Sequence, residues 1–248
     1  VPVNCKDFVI NAKKWIGRAQ AHMDDLLDML DGRPKRDPTI DVATTKVACG
    51  HGDGRWYVDP TSLGPQSVVY SVGVGYDISF DLAMIRRFDC EVQAFDPTTL
   101  AKVWLGRQRL PAGFRFHDIG LAHFDGEAVF SLPPQHSVSF TMKQVAHGTN
   151  EHRAQVRRLA TLMADLGHSS IDVLKIDIEG AEFDLIDDLV TLAPNIRQLL
   201  IGFHDRLADS SGRSHTAQAV ERLKDAGFKL FHVSRRGYEY CFVRSASV

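Results

Sequence analysis

Val68-Val-Tyr-Ser-Val-Gly-Val-Gly-Tyr-Asp-Ile-Ser-Phe-Asp81 carries an apolar strand into a glycine turn and out into a helix. Gly73 and Gly75 remove the side chains that would keep a ligand off the backbone, and a helix opening near Asp77 presents unpaired N–H groups to a carboxylate or phosphate. Twenty-one residues after Gly75, a second apolar run, Glu91-Val-Gln-Ala-Phe-Asp96, ends in an acid. That spacing suits a carboxylate gripping the two ribose hydroxyls of a nucleoside. The third glycine of the dinucleotide fingerprint is absent, so a plain turn is the competing reading of the same residues.

From residue 68 the pattern alternates between strand and helix. Strands are expected at 68–74, 91–95, 114–121, 171–177 and 196–203, with helices near 77–88, 98–106, 150–166, 181–190 and 216–226. Ile171-Asp-Val-Leu-Lys-Ile-Asp177 is a near-continuous apolar run of the kind a central parallel strand requires. Phe124-Asp-Gly-Glu-Ala-Val-Phe130 reads as an added β-hairpin turning on Asp125-Gly126, and two strands, 228–233 and 238–243, close the chain around Arg235-Arg-Gly237. The expectation is an α/β fold, a doubly wound seven-stranded sheet with an antiparallel terminal strand. Residues 7–31 place Ala12, Ile16, Ala19, Met23, Leu26, Leu27 and Leu30 at helical spacing, and Gly32-Arg-Pro34 stops that helix. Residues 1–48 are therefore read as a helix and linker and 49–248 as the main domain. The helix is also the expected surface for a homodimer.

A chain of 248 residues with 44% apolar and 24% charged residues can bury one sizeable core. A formal charge of −2 without a long Lys/Arg run argues against nucleic acid as a partner and for a small or neutral one. No apolar stretch is long enough to cross a bilayer. Val1-Pro-Val-Asn4 has neither the charged nor the apolar region of a leader, and its lack of an initiator Met leaves room for an upstream segment. The absence of an Asn-x-Ser/Thr sequon favours a cytoplasmic setting, with the secretory pathway as the alternative. Cys5, Cys49, Cys90 and Cys241 lack metal-type pairing; Cys90 and Cys241 sit in strand-like runs as buried thiols, and Cys5 with Cys49 could bridge in an oxidising compartment. Cys49, His51 and Asp53 read as part of a glycine-rich turn rather than a metal site.

Tyr70-Ser-Val-Gly-Val-Gly-Tyr-Asp-Ile-Ser-Phe-Asp81, together with Leu174-Lys-Ile-Asp-Ile-Glu-Gly-Ala-Glu182, resembles the FkbM-type and methyltransferase-like proteins, which are S-adenosylmethionine-dependent methyltransferases. The likeness runs from about Cys49 to Arg244. It implies a Rossmann-like class I methyltransferase domain in which Ser71, Gly73, Gly75, Asp77 and Ser79 surround the methionine moiety of the donor. Asp96 would take the ribose hydroxyls, and Asp118 with Ile119 would border the adenine. Many methyltransferases place an acid where this chain has Ser71, and Asp77 stands at the third glycine position.

Methyl transfer is an in-line displacement that needs an aligned nucleophile and a route for its proton. Asp177 and Glu179 follow the fourth strand, and His204 closes the fifth, so these three are the candidate catalytic residues. His204 is the candidate base because imidazole titrates near neutrality. Asp177, His204 and Asp205 form a candidate site for Mg²⁺ or Mn²⁺, which would acidify a substrate hydroxyl. Glu182 reads as a first-turn helix acid. Trp56, Trp104 and residues 124–130 are a candidate aromatic platform for the acceptor, with core packing as the competing reading. The expected activity is O-methylation of a hydroxyl on a small molecule or sugar. The alternatives are a nicotinamide-dependent oxidoreductase and a cofactor-binding module without turnover.

Overall fold

A computed structural model describes residues 39–131, 151–204, 212–234 and 236–244. The N-terminal helix, Cys5 and Asp205 lie outside these residues. A two-stranded ribbon, β1 (Val47–Cys49) and β2 (Trp56–Val58), comes first. Then β3 (Val68–Val72), α1 (Ser79–Phe88), β4 (Glu91–Phe95), α2 (Thr99–Leu105) and β5 (Phe114–His117) alternate as expected. Three further strands follow, β6 (Gly120–Leu121), β7 (Gly126–Ser131) and β8 (Glu151–Arg157). The chain continues through α3 (Leu159–Asp165), β9 (Ile171–Ile176), α4 (Ile186–Leu192), β10 (Ile196–Gly202), α5 (Gly212–Asp225), β11 (Lys229–Val233) and β12 (Glu239–Val243).

The main sheet has seven strands in the order β11-β12-β10-β9-β3-β4-β5. β3 pairs in parallel with both β4 and β9, whereas β12 runs antiparallel to both its neighbours. This is the Rossmann-like class I methyltransferase architecture expected from the sequence. The strand order reverses between β3 and β9, so the crevice at their C-terminal ends is where such a sheet takes its ligand.

Burial explains the strand assignments. In β9, Ile171, Val173, Leu174 and Ile176 are each at most 1% exposed, as befits a strand covered on both faces. One face, with Tyr70, Leu174, Leu199 and Ile201, packs with Leu162, Leu189 and Leu223 from α3, α4 and α5. The other, with Val69, Val173, Leu200 and Cys241, packs with Phe80 and Met84 of α1 and Trp56 of β2. Trp56 and Phe130 are thus core residues, which removes them from the expected aromatic platform. Cys49, Cys90 and Cys241 are buried free thiols, and burial pushes them up to about 11, about 11 and about 12, too high for thiolate chemistry.

Four local expectations are corrected. The strand expected over 114–121 breaks after His117, and Gly120–Leu121 joins a second, three-stranded sheet of order β6-β8-β7. The hairpin expected within 124–130 is instead the single strand β7, whose partner is the distant β8. The helix expected over 150–166 begins only at Leu159, because residues 153–157 alternate outward Arg153, Gln155 and inward Val156 with the period of a strand. Ala181–Val190 opens as a 3-10 turn, Glu182–Leu185, before α4. The Asp125 carboxylate accepts the Arg158 N–H at 2.8 Å, tying the second sheet to the start of α3.

Candidate active site

β3 ends in the glycine turn. Gly73 has φ +82°, and a Cβ there would lie 1.8 Å from the carbonyl oxygen of Asp177, so the turn rests directly on the end of β9. Gly73→Ala is expected to destabilise the fold by about 2 kcal/mol or more through left-handed strain and this clash. Thermal denaturation would show it, and an unchanged midpoint would refute the packing. Gly75 has φ +53° and is exposed, and a Cβ there would meet nothing within 4 Å. The turn therefore offers bare backbone to an open space.

Asp96, at the end of β4, is 5% exposed. Its Oδ2 accepts the Gly75 N–H at 2.8 Å and its Oδ1 accepts the Thr98 N–H at 2.9 Å. Oδ1 also accepts the Thr98 hydroxyl, so Oδ2 keeps a lone pair for one hydroxyl of a diol and the second hydroxyl would take the place on Oδ1 that the Thr98 hydroxyl holds. Thr98 caps α2 by accepting the Ala101 N–H, so the acid is held by a well-ended helix. An acid pinned beside an open glycine turn at the switch point fits the nucleoside of S-adenosylmethionine. Tyr76 follows the turn and meets Trp104 edge-on at 6.1 Å between ring centroids.

The remaining donor residues from the sequence are placed unevenly. Ser79 is buried; its Oγ accepts the His51 N–H at 3.2 Å, and its own N–H donates to Asp77 at 2.8 Å. Asp77 and Ser79 thus brace the loop between β1 and β2 against the glycine turn. Ser71 is fully buried beneath the turn. Asp118 is partly exposed and paired with Lys102, and Ile119 packs against the main core.

Across the switch point, Asp177, Glu179 and His204 converge. His204 Nε2 lies 3.4 Å from Asp177 and 3.8 Å from Glu179, and its Nδ1–H donates to Glu182 at 2.7 Å. Glu182 is fully buried and also accepts the Ile178 and Gly180 N–H groups, at 3.1 and 2.8 Å. It is more than the helix-end acid the sequence suggested, since it fixes the imidazole ring. Burial pushes the His204 pKa down, but Glu179, Glu182 and Asp177 outweigh it and hold the ring well above 6.5. Glu179 takes φ +57°, a conformation uncommon outside glycine and often found where backbone strain serves a site. Glu239 of β12 pairs with Gly202 beside His204; burial and Asp177 push its carboxyl up.

Sequence reasoning passed over Lys175, Asp81 and Glu239. Lys175 is 5% exposed, with Nζ 3.2 Å from the Gly73 carbonyl, 3.9 Å from Asp177 and 5.6 Å from the Trp56 ring centroid. Its signal was a lone cation within an apolar run, on the same alternating face as Val173 and Asp177.

A family model described as a methyltransferase domain matches residues 35–244. The chain belongs to this methyltransferase-domain family. Methyl transfer from S-adenosylmethionine is the reaction class that goes with this domain, and the nicotinamide alternative is set aside. The methyltransferase domain is 24% identical to human probable methyltransferase-like protein 24 over 90% of this chain and 61% of that protein. It is 25% identical to the AMB antimetabolite synthetase AmbE of Pseudomonas aeruginosa, over 69% of this chain and 10% of that one. The chain thus spans less than two thirds of these curated relatives. Among solved structures it is similar to the Methanococcus jannaschii fibrillarin pre-rRNA processing protein, at TM-score 0.46 and 9% identity, over 86% of this chain and 98% of that one.

Proposed function

We propose that this methyltransferase transfers the methyl group to a hydroxyl of a small molecule or sugar, with His204 as the base. The observation that carries the reading is the 2.7 Å contact between His204 Nδ1 and the fully buried Glu182, which leaves Nε2 facing the half-buried carboxylates of Asp177 and Glu179. Bound S-adenosylmethionine would supply an electrophilic methyl on a sulfonium, with Asp96 and the Gly73–Gly75 turn holding its nucleoside and methionine ends. Asp118 and Ile119 would border the adenine, while Asp77, Ser79 and the buried Ser71 support the methionine side. Glu182 accepts from Nδ1, and this fixes the tautomer whose Nε2 can take the acceptor's proton. An amine acceptor needs no such base once it is neutral, so a positioned imidazole favours the alcohol. The test is a screen of alcohols, sugars and amines for S-adenosylhomocysteine release, with mass spectrometry locating the methyl group. Methylation confined to nitrogen would refute the reading.

A divalent cation is a second reading, because one ligand atom from each of Asp177, Glu182 and His204 lies within 4.8 Å of the others. The donor chemistry speaks against it: three of the roughly four lone-pair sites on Glu182 already accept hydrogen bonds, which leaves it one to offer a metal. Turnover is accordingly expected to survive excess chelator. Loss on chelation with recovery in Mg²⁺ or Mn²⁺ would reverse this and make Asp177 and His204 ligands.

A further inference from the structure

Beneath the glycine turn lies a buried polar group, of which Lys175 and Asp81 have no part in any step above. Ser71 and Lys175 are register partners on β3 and β9, and Asp81 projects from the first turn of α1 with 1% exposure. A buried ammonium is costly unless paired: Asp177 lies 3.9 Å from it, and Asp81 is a second acid nearby whose carboxyl burial pushes up and the Lys175 charge draws back down. The Ser71 Oγ and one oxygen of Asp81 have no hydrogen-bond partner among the described residues. The chain thus keeps charge at a place where apolar packing would be cheaper, and that charge touches the turn: Lys175 Nζ donates to the Gly73 carbonyl at 3.2 Å. The same carbonyl belongs to the residue whose N–H donates to Phe95 at 3.0 Å and whose Cα rests on Asp177. Where the likeness to other methyltransferases expects an acid at the end of β3, this chain has Ser71 on the strand and Asp81 on the covering helix.

We propose that Lys175 is a positioning residue for the donor: held beside Asp177, it clamps the Gly73 carbonyl and sets the turn that receives the methionine end. The clamp links the donor turn to Asp177, so a single cation fixes the spacing between donor and acceptor sides. The inference rests on the donor site proposed above.

The test compares two ligands on the full chain. S-adenosylhomocysteine carries the amino-acid end, and 5′-methylthioadenosine lacks it. Lys175→Met keeps the length of the side chain and removes its charge. It is expected to weaken S-adenosylhomocysteine about tenfold or more while changing 5′-methylthioadenosine less than threefold, since Asp96 still holds the ribose. Equal weakening of both ligands would mean general damage to the crevice and would overturn the clamp, as would no change in either. If Lys175→Met leaves Asp81 uncompensated and the chain does not fold, the double variant Lys175→Met with Asp81→Asn removes both charges and is read by the same ratio. Failure of the unaltered protein to bind either ligand would instead overturn the donor site itself.

Discussion

Asp96→Ala is expected to weaken S-adenosylhomocysteine by about a hundredfold or more in calorimetric titration. Two hydrogen bonds from ribose hydroxyls to a carboxylate contribute about 1.5–3 kcal/mol each, and both are lost together. A second loss adds to the first. Asp96 Oδ2 holds the Gly75 N–H and Oδ1 holds both Thr98 N–H and its hydroxyl, so alanine frees the turn and the start of α2 at once. Asp96→Asn separates the two effects, because its carbonyl oxygen can still accept one of these donors while the charge is gone. About tenfold weakening is expected there. Micromolar binding retained by Asp96→Ala would place the ribose elsewhere and leave the open Gly75 turn without an assigned ligand.

The glycine turn and strand-end acid of the candidate donor site were legible because their signals are local. Strand, turn, helix and strand-end acid fall within thirty residues or so, and each uses a rule of chain geometry: positive φ at Gly73 and Gly75, apolar runs at β3 and β4, and an acid before Pro97. The central strand β9 was legible for the same reason. What the sequence hid depends on partners far along the chain. Glu182 looked like an ordinary helix-end acid, and only the arrival of His204 at the end of β10 gives it a second role. Lys175 looked like an interruption in β9, and its meaning depends on the Gly73 carbonyl at the end of β3. β8 was hidden by a neighbour: Leu159, Leu162 and Met163 give a helical signal that a window of ordinary length carries back into Glu151–Arg157. Its pairing with β7 spans a gap that no hairpin turn announces.

His204→Gln is expected to lower kcat by a factor of about 10²–10⁴, the usual contribution of a general base, while S-adenosylhomocysteine binding stays within threefold. The pH dependence distinguishes a base from a spacer. Against the effect of burial, Glu179, Glu182 and Asp177 raise the His204 pKa, and this favours the imidazolium, a form with no lone pair to offer. A base must be deprotonated to act, so kcat/KM should rise with pH through the His204 pKa and fall away below it. The sulfonium of a bound donor adds positive charge nearby and disfavours the imidazolium, so the kcat limb, which reports the complex, should lie lower than the kcat/KM limb. Glu182→Gln tests the cause. It removes one of the charges that stabilise the imidazolium, so the limb should move to lower pH. It should also cost about 1–3 kcal/mol of stability, since the amide nitrogen would meet the Gly180 N–H or the neighbouring donors at Oε1. A pH profile that is flat between 6 and 9 in the unaltered enzyme, or identical in His204→Gln, would remove His204 from the proton path. Asp177 would then be the group to test next, as a carboxylate 3.4 Å from the ring and joined through Lys175 to the donor turn.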